Sequence, residues 1–121
     1  MKLDELVNKI NQCVNEFDYV SARKYIEENI GVLEGRKQLL KGNAREILNF
    51  LIEQLNSGVE PLSRKELTVI NAINAYAYKF DLRGIKVMLK ENAKLFLRED
   101  IIVYLNSDAK IILTGMKVIN N

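Results

Sequence analysis

Apolar residues recur at every third or fourth position along most of this chain, which is the spacing that places them on one face of an amphipathic helix. The clearest stripe, in residues 3–17, consists of Leu3, Leu6, Val7, Ile10, Val14 and Phe17. Asp18 is suited to cap a second helix, since its short carboxylate can accept a hydrogen bond from a free first-turn amide. Asn43 is a comparable cap for a later helix. The pattern therefore predicts an all-α protein.

The clearest interruption of the pattern is the segment NSGVEPL, residues 56–62, where Asn, Ser and Gly precede the single proline. Directly after it, Ser63 and Glu66 have the spacing of a capping box, which marks the start of a long helix. Asp81 is placed to cap the helix that follows. We predict one domain, residues 1–121, with two related halves, residues 1–60 and 61–121.

The two halves are similar in sequence. Residues 66–96 align without a gap on residues 3–33, and seven of the 31 aligned positions are identical. Shared helical periodicity explains part of this agreement, but the alignment favours an internal duplication. The identical pairs are Asn8 and Asn71, Ile10 and Ile73, Asn11 and Asn74, Phe17 and Phe80, Asp18 and Asp81, Glu28 and Glu91, and Asn29 and Asn92.

The C-terminal segment is compatible with two structures. Residues 101–105 and 110–113 are rich in β-branched residues and flank the turn-forming tetrapeptide NSDA, which is typical of a β-hairpin. The corresponding part of the first half, residues 36–55, has a helical pattern, and Asp108 stands where a helix cap would be. We predict helices here, with a short C-terminal β-hairpin as the alternative.

The composition argues against catalysis. The chain contains no histidine, the commonest general base and metal ligand, and its single cysteine, Cys13, can form neither an internal disulfide nor a cysteine-based zinc site. No glycine-rich phosphate loop is present, and no serine has a histidine to activate it. We therefore predict that the protein is not an enzyme and uses no cofactor and no metal.

The N-terminus and the hydropathy pattern bear on localisation. The first ten residues include two acids and no continuous apolar block, unlike a signal peptide, and no window approaches the ~18 apolar residues of a membrane span. A lone thiol also suits a reducing compartment. We expect a cytoplasmic protein without a membrane partner.

The stretch Asp18-Tyr19, followed by Ala22 and Tyr25, resembles the start of the second helix of a tetratricopeptide repeat. The similarity covers about one helix in each half. It departs from the repeat where Phe17 and Phe80 replace the usual turn glycine, where Ile85 replaces the alanine, and where the closing proline is missing. The resemblance implies tandem antiparallel helical hairpins, and a compact helical bundle is the alternative.

This resemblance also implies where a partner would bind, namely the exposed face of the first helix of each hairpin. Side-chain amides can donate and accept hydrogen bonds toward a peptide backbone, and tyrosine adds apolar area with a polar tip. Solvation alone is the competing interpretation of these residues. We expect a non-catalytic interaction or regulatory module for a peptide or protein partner, with Asn8, Gln12, Asn15, Asn71, Tyr78 and Lys79 as the contact residues.

The charge distribution suggests a second hypothesis. Residues 1–62 carry eight basic and ten acidic side chains, a net charge of −2, whereas residues 63–121 carry ten and six, a net charge of +4. A basic stripe at spacings of three and four could follow the phosphates of a nucleic acid or an acidic protein surface. Solvation of an outer helix face is the ordinary explanation. The stripe consists of Arg83, Lys86, Lys90 and Lys94.

A second copy of the chain is a further candidate partner. Short helical arrays leave apolar end faces that need to be covered. The Ile- and Leu-rich residues 111–119 would supply such a face in a homodimer.

Overall fold

The computed structural model describes residues 1–120, and over those residues the chain contains helices and no strand. The all-α prediction is confirmed. None of the helices in this range is long and apolar enough to cross a membrane. The α-helices are α1 (Leu3–Asn15), α2 (Tyr19–Glu28), α3 (Ile30–Glu34), α4 (Gly42–Ser57), α5 (Arg64–Tyr78), α6 (Leu82–Glu91) and α7 (Ser107–Gly115), and short 3-10 helices cover Lys37–Leu39, Ala93–Leu97 and Glu99–Tyr104.

The alternative of a C-terminal β-hairpin is wrong. The expected first strand lies in the 3-10 helix Glu99–Tyr104, and the expected second strand lies in α7. Asn106, rather than Asp108, caps α7, and its side-chain oxygen accepts a hydrogen bond from the Ala109 amide at 2.8 Å. Helical structure suits this segment because its buried residues recur every fourth position, whereas a strand buries every second one. These residues are Ile101, Leu105, Ala109 and Leu113.

Helices α1 and α5 end in the same backbone motif. The second residue beyond each helix end, Phe17 or Phe80, is left-handed, with φ angles of 63° and 54°. The amide of the following residue then donates to a carbonyl five residues back, at 2.8 Å in both places. This is the Schellman ending that glycine usually provides, and a left-handed conformation costs other residues roughly 1–2 kcal/mol. Helix α7 ends in the same way, with Lys117 at a φ of 67° and the Val118 amide donating to the Leu113 carbonyl at 2.9 Å, so residues 1–120 carry this cost three times.

The following aspartates begin the next helices as predicted. Asp18 caps α2 and Asp81 caps α6, each through a hydrogen bond of 3.0 Å from a backbone amide three residues later. The predicted capping box at the start of α5 is also present, with Ser63 and Glu66 bonding each other's amides at 3.1 and 2.9 Å. Local sequence therefore determines where these three helices begin.

We expect Asp18→Ala and Asp81→Ala each to lower the free energy of unfolding by about 1 kcal/mol, because each removes the only side-chain bond to a first-turn amide. Chemical denaturation of both variants beside Asp18→Asn and Asp81→Asn measures the effect. The asparagine variants keep the acceptor and should remain close to the parent protein. Equal losses in alanine and asparagine variants would show that charge, not capping, matters there.

Helix α2 connects the first half of the chain to the second. The hydroxyl of Tyr19 is buried and donates to the Leu89 carbonyl at 3.1 Å, and its burial raises the pKa of Tyr19 to about 12. The Arg23 guanidinium donates to the Leu97 carbonyl at 2.6 Å. The Val20 amide donates to the carbonyl of Lys117, beyond the end of α7. The two halves therefore share one hydrophobic core.

The C-terminal segment proposed for self-association is largely part of that core. Leu113, Val118 and Ile119 are all buried within the chain, whereas Ile111 is exposed. Most of the apolar surface of residues 111–119 is therefore unavailable to a second copy.

Candidate functional site

The six predicted partner-contact residues lie on two helices that have different neighbours. Three are on α1, and the others are on α5 or follow its end; all six are exposed. Helix α1 packs on α2 and α4, whereas α5 packs on α6 and α7. The structure therefore does not place the two sets on adjacent packed helices. The first set is Asn8, Gln12 and Asn15, and the second is Asn71, Tyr78 and Lys79.

The structure brings together three of the four residues of the basic stripe. Arg83, Lys86 and Lys90 are exposed along α6 and line a shallow pocket of about 340 Å³. The other two side chains in this pocket are Phe17, from the turn after α1, and Val87. Basic groups thus lie directly beside apolar ones.

Lys94 does not continue the stripe, because α6 ends before it. The side-chain amide of Asn92 donates back to the Met88 carbonyl at 3.0 Å, and the chain then enters a 3-10 helix at Ala93. Lys94 lines a different cleft, whose other side chains include Glu53 and Glu66. Its positive charge therefore lies in a cleft that also contains negative charges, and not on the basic stripe.

A larger pocket of about 840 Å³ adjoins the shallow one and shares Val87 and Lys90 with it. We call the combined surface the α1–α6 groove. Residues at the start of α4 also line it. The groove is lined from α1 and its turn by Asn11, Val14, Asn15 and Phe17, from α6 by Arg83, Lys86, Val87, Lys90 and Glu91, and from the start of α4 by Lys41, Gly42, Asn43 and Ala44.

Asn43 positions the start of α4 in the groove, although it does not cap the helix as predicted. Its side-chain amide donates to the Lys90 carbonyl at 2.7 Å, which ties α4 to the last turn of α6. Helix α4 instead begins at Gly42 and has no side-chain hydrogen bond at its N-terminus. Free first-turn amides and the helix dipole add positive potential at this end of the groove.

The basic groups of the groove are not neutralised by the protein. Among residues 1–120, ion pairs form only at Arg23 and Arg98. Lys41, Lys86 and Lys90 therefore have no carboxylate within 4.0 Å in that part of the chain, and Glu91 is the single acidic residue that lines the groove. The surface attracts anionic groups, and salt will weaken that attraction.

The titratable groups with shifted pKa values lie outside the groove and have structural causes. Burial raises the pKa of the Cys13 thiol, and a hydrogen bond from Arg98 lowers the pKa of Asp100. Within residues 1–120, no three His, Cys, Asp or Glu side chains cluster in a way that suits a metal ion. The groove offers cations, amides and apolar surface, which suit binding.

Four of the 13 groove residues, Asn15, Arg83, Lys86 and Lys90, are among those predicted from the sequence, and the other nine are not. The apolar spacing places Phe17 and Val14 on the core face of α1, and no local pattern links Lys41 to α6. Val87 carried a weak signal, because it is an apolar residue on an otherwise basic helix face. Comparisons of the chain with protein-family models, with curated proteins and with solved structures gave no match.

Proposed function

We propose that this protein is a non-catalytic interaction module that binds a peptide or protein partner in the α1–α6 groove. The main support for this proposal is that exposed lysines without an ion-pair partner lie beside apolar side chains and side-chain amides on one surface. A protein segment can use all three kinds of group, since carboxylates pair with Lys41 and Lys90, side chains pack on Val87, and backbone groups bond to Asn11 and Asn15. Of the predicted contact residues, Asn15 alone lines the groove; the others stay predictions.

We also propose that the helix pairs α1–α2 and α5–α6 are copies of one helical hairpin. Beyond the shared Schellman endings and aspartate caps, Asn29 and Asn92 each donate a side-chain hydrogen bond to the carbonyl four residues earlier, at 2.8 and 3.0 Å. Equivalent bonds at aligned positions support a duplication better than periodicity does, because periodicity alone does not specify turn geometry. The resemblance to tetratricopeptide repeats stays a prediction.

Nucleic-acid binding is the second candidate, favoured by the placement of Arg83, Lys86 and Lys90 along one exposed surface. Two features make nucleic-acid binding the weaker candidate. Lys94 lies in a different cleft, and Phe17, the aromatic residue of the groove, is partly buried against the core instead of forming an open stacking platform. The four cations of the groove lie beside the aliphatic side chains of Val14 and Val87 and the amides of Asn11 and Asn15, and this mixture suits a protein segment better.

The test is affinity purification of the tagged protein from cell extract beside the charge-reversal variant Lys41→Glu/Lys90→Glu. We expect a protein that co-purifies in stoichiometric amounts with the parent, and at least about tenfold less of it with the variant, because like charges replace opposite ones in the groove. The matched control is Lys2→Glu/Lys65→Glu, which reverses two exposed lysines outside the groove and should retain the partner.

Two results contradict this proposal. If the variant retains the partner as well as the control does, the groove is not the binding site. If the parent instead retains nucleic acid, and nuclease treatment removes whatever protein accompanies it, the second candidate replaces the first.

A further inference from the structure

An exposed aromatic side chain occupies the strained turn between α5 and α6. Phe80 is left-handed, with a φ of 54°, and 69% of its surface is accessible. Its counterpart Phe17 has the same conformation, but its ring packs against the core and lies 6.4 Å from the ring of Tyr19. Packing offsets the backbone strain at Phe17, whereas solvent covers most of Phe80. Lys117, which ends α7 in the same conformation, is also exposed but is polar, so the feature that indicates a role outside folding is the exposed apolar ring at a costly position.

Two further apolar side chains flank Phe80. Tyr78 is 77% exposed, and Leu82, the first residue of α6, is 37% exposed. We call Tyr78, Phe80 and Leu82 the turn patch. Three large apolar side chains within five residues exceed the scattered exposure that is ordinary on a protein surface.

The turn patch is continuous with the basic side of the groove. Leu82 and Lys86 are four residues apart on α6, and so are Arg83 and Val87, so these side chains are neighbours on the helix surface. Lys79 lies within the turn itself. The nearest acid, Asp81, already accepts the Gly84 amide as the cap of α6. The apolar patch is thus bordered mainly by positive charge.

The positive charge around the turn patch favours one kind of binding partner over the others. In a two-fold contact between copies, the turn patch of one chain would bring Lys79 and Arg83 against the same residues of the other, and like charges across an interface are unfavourable. An acidic surface has the complementary sign. The phosphates of a nucleic acid supply no apolar groups, and its bases would stack on the rings of Tyr78 and Phe80 but not on Leu82, so an acidic protein segment fits all three side chains better.

We propose that the turn patch and the adjoining face of α6 bind an acidic segment of a partner protein that carries large apolar side chains. Its carboxylates pair with Arg83 and Lys86, and its apolar side chains pack on Phe80, Tyr78 and Leu82. The proposal rests on the proposed function, which it deepens by giving the chemical class of the partner.

The test measures binding of a short fluorescent peptide in which glutamates alternate with pairs of leucine and phenylalanine. Three other probes are its lysine analogue, a polyglutamate peptide and a single-stranded oligothymidine. We expect the acidic, apolar peptide to bind at least about tenfold more tightly than each of the others, and more weakly as salt rises. Phe80→Gly and Arg83→Glu should each weaken it about tenfold or more, whereas Leu55→Ser, which removes an exposed leucine of α4, should not.

Thermal unfolding separates loss of binding from loss of folding. Phe80→Gly should unfold at the same temperature as the parent or a few degrees higher, because glycine relieves the left-handed strain. A large drop would show that Phe80 is needed for folding and would overturn the argument from strain. Unaltered binding by Phe80→Gly, equal binding of polyglutamate, or preference for the oligonucleotide would each overturn the proposed docking surface. Concentration-dependent dimerisation that Phe80→Gly abolishes would show that the occupant is a second copy.

The affinity purification distinguishes the two proposals. If Lys41→Glu/Lys90→Glu loses the partner and Phe80→Gly keeps it, the interaction module stands and the turn patch is wrong. If neither the parent nor any variant retains a protein, the proposed function fails, and the deeper proposal fails with it.

Discussion

Replacing Gly84 with alanine is expected to lower the free energy of unfolding by about 1–3 kcal/mol, the usual cost of forcing an additional methyl group into a packed contact. A Cβ atom at this position would lie 2.5 Å from Cδ1 and 2.6 Å from Cε1 of the Tyr76 ring. Carbon atoms in contact are normally about 3.5–4.0 Å apart, so either the ring or α6 must move. The ring packs against the core, and the Asp81 cap holds the first turn of α6.

The first half of the chain suggests a compensating change. The positions equivalent to Tyr76 and Gly84 are Cys13 and Ser21, so a large residue with glycine in one half corresponds to two small residues in the other. We expect Tyr76→Cys to destabilise by itself and Tyr76→Cys/Gly84→Ser to be more stable than the sum of its single changes predicts. Chemical denaturation of the four proteins gives the coupling free energy.

Gly115→Ala is the matched control for Gly84→Ala. This glycine is also helical, and a Cβ atom there would meet no heavy atom within 4 Å. Alanine should leave stability unchanged or raise it slightly, because it is the better helix former. If Gly84→Ala behaves like Gly115→Ala, the Tyr76 ring moves aside freely and the close packing of α5 on α6 is not a constraint.

The features that could be predicted from the sequence depend on neighbouring residues. The caps at Asp18 and Asp81 and the capping box at Ser63 bond amides three residues away, so a short stretch contains both partners. The alignment of the two halves also contains information about where α6 ends. Asn29 and Asn92 are aligned, and each bonds back into its helix, so the end of α2 predicts the end of α6 before Lys94.

The remaining features depend on contacts between distant parts of the chain. Asn43 has the local context of a helix cap, but its amide bonds to a carbonyl 47 residues later, and that contact brings Lys41 to the groove. The β-branched runs near residue 101 fit the patterns of a strand and of a helix equally well. Only the folded chain, in which every fourth residue of this segment is buried, shows that the segment is helical. Similarly, the sequence predicts three basic residues of the groove, and of its opposite wall it predicts only Asn15.

Arg98→Ala is expected to destabilise the protein by about 2–4 kcal/mol, because it removes a nearly buried cation that several groups share. The Arg98 side chain donates to both carboxylate oxygens of Asp100, at 3.0 and 2.7 Å, and to the Glu60 carbonyl at 2.5 Å. Glu66 of α5 lies 3.6 Å from the same guanidinium. These bonds fasten the segment before α5 to the 3-10 helices. Urea denaturation should show the loss, and Arg64→Ala, which removes an exposed arginine, should show almost none.

The same contact gives stability a defined dependence on pH. The hydrogen bond from Arg98 holds the pKa of Asp100 below its usual value in the folded protein. A carboxyl group whose pKa is lowered on folding stabilises the protein above its unfolded pKa of about 3.9, and this contribution disappears as the pH falls through the folded value. Asp100→Asn should therefore be less stable than the parent at neutral pH, and the difference should shrink as the solution is acidified below about pH 4. A difference that is constant with pH would show that Arg98 stabilises the fold through Glu60 and packing, without a contribution from the charge of Asp100.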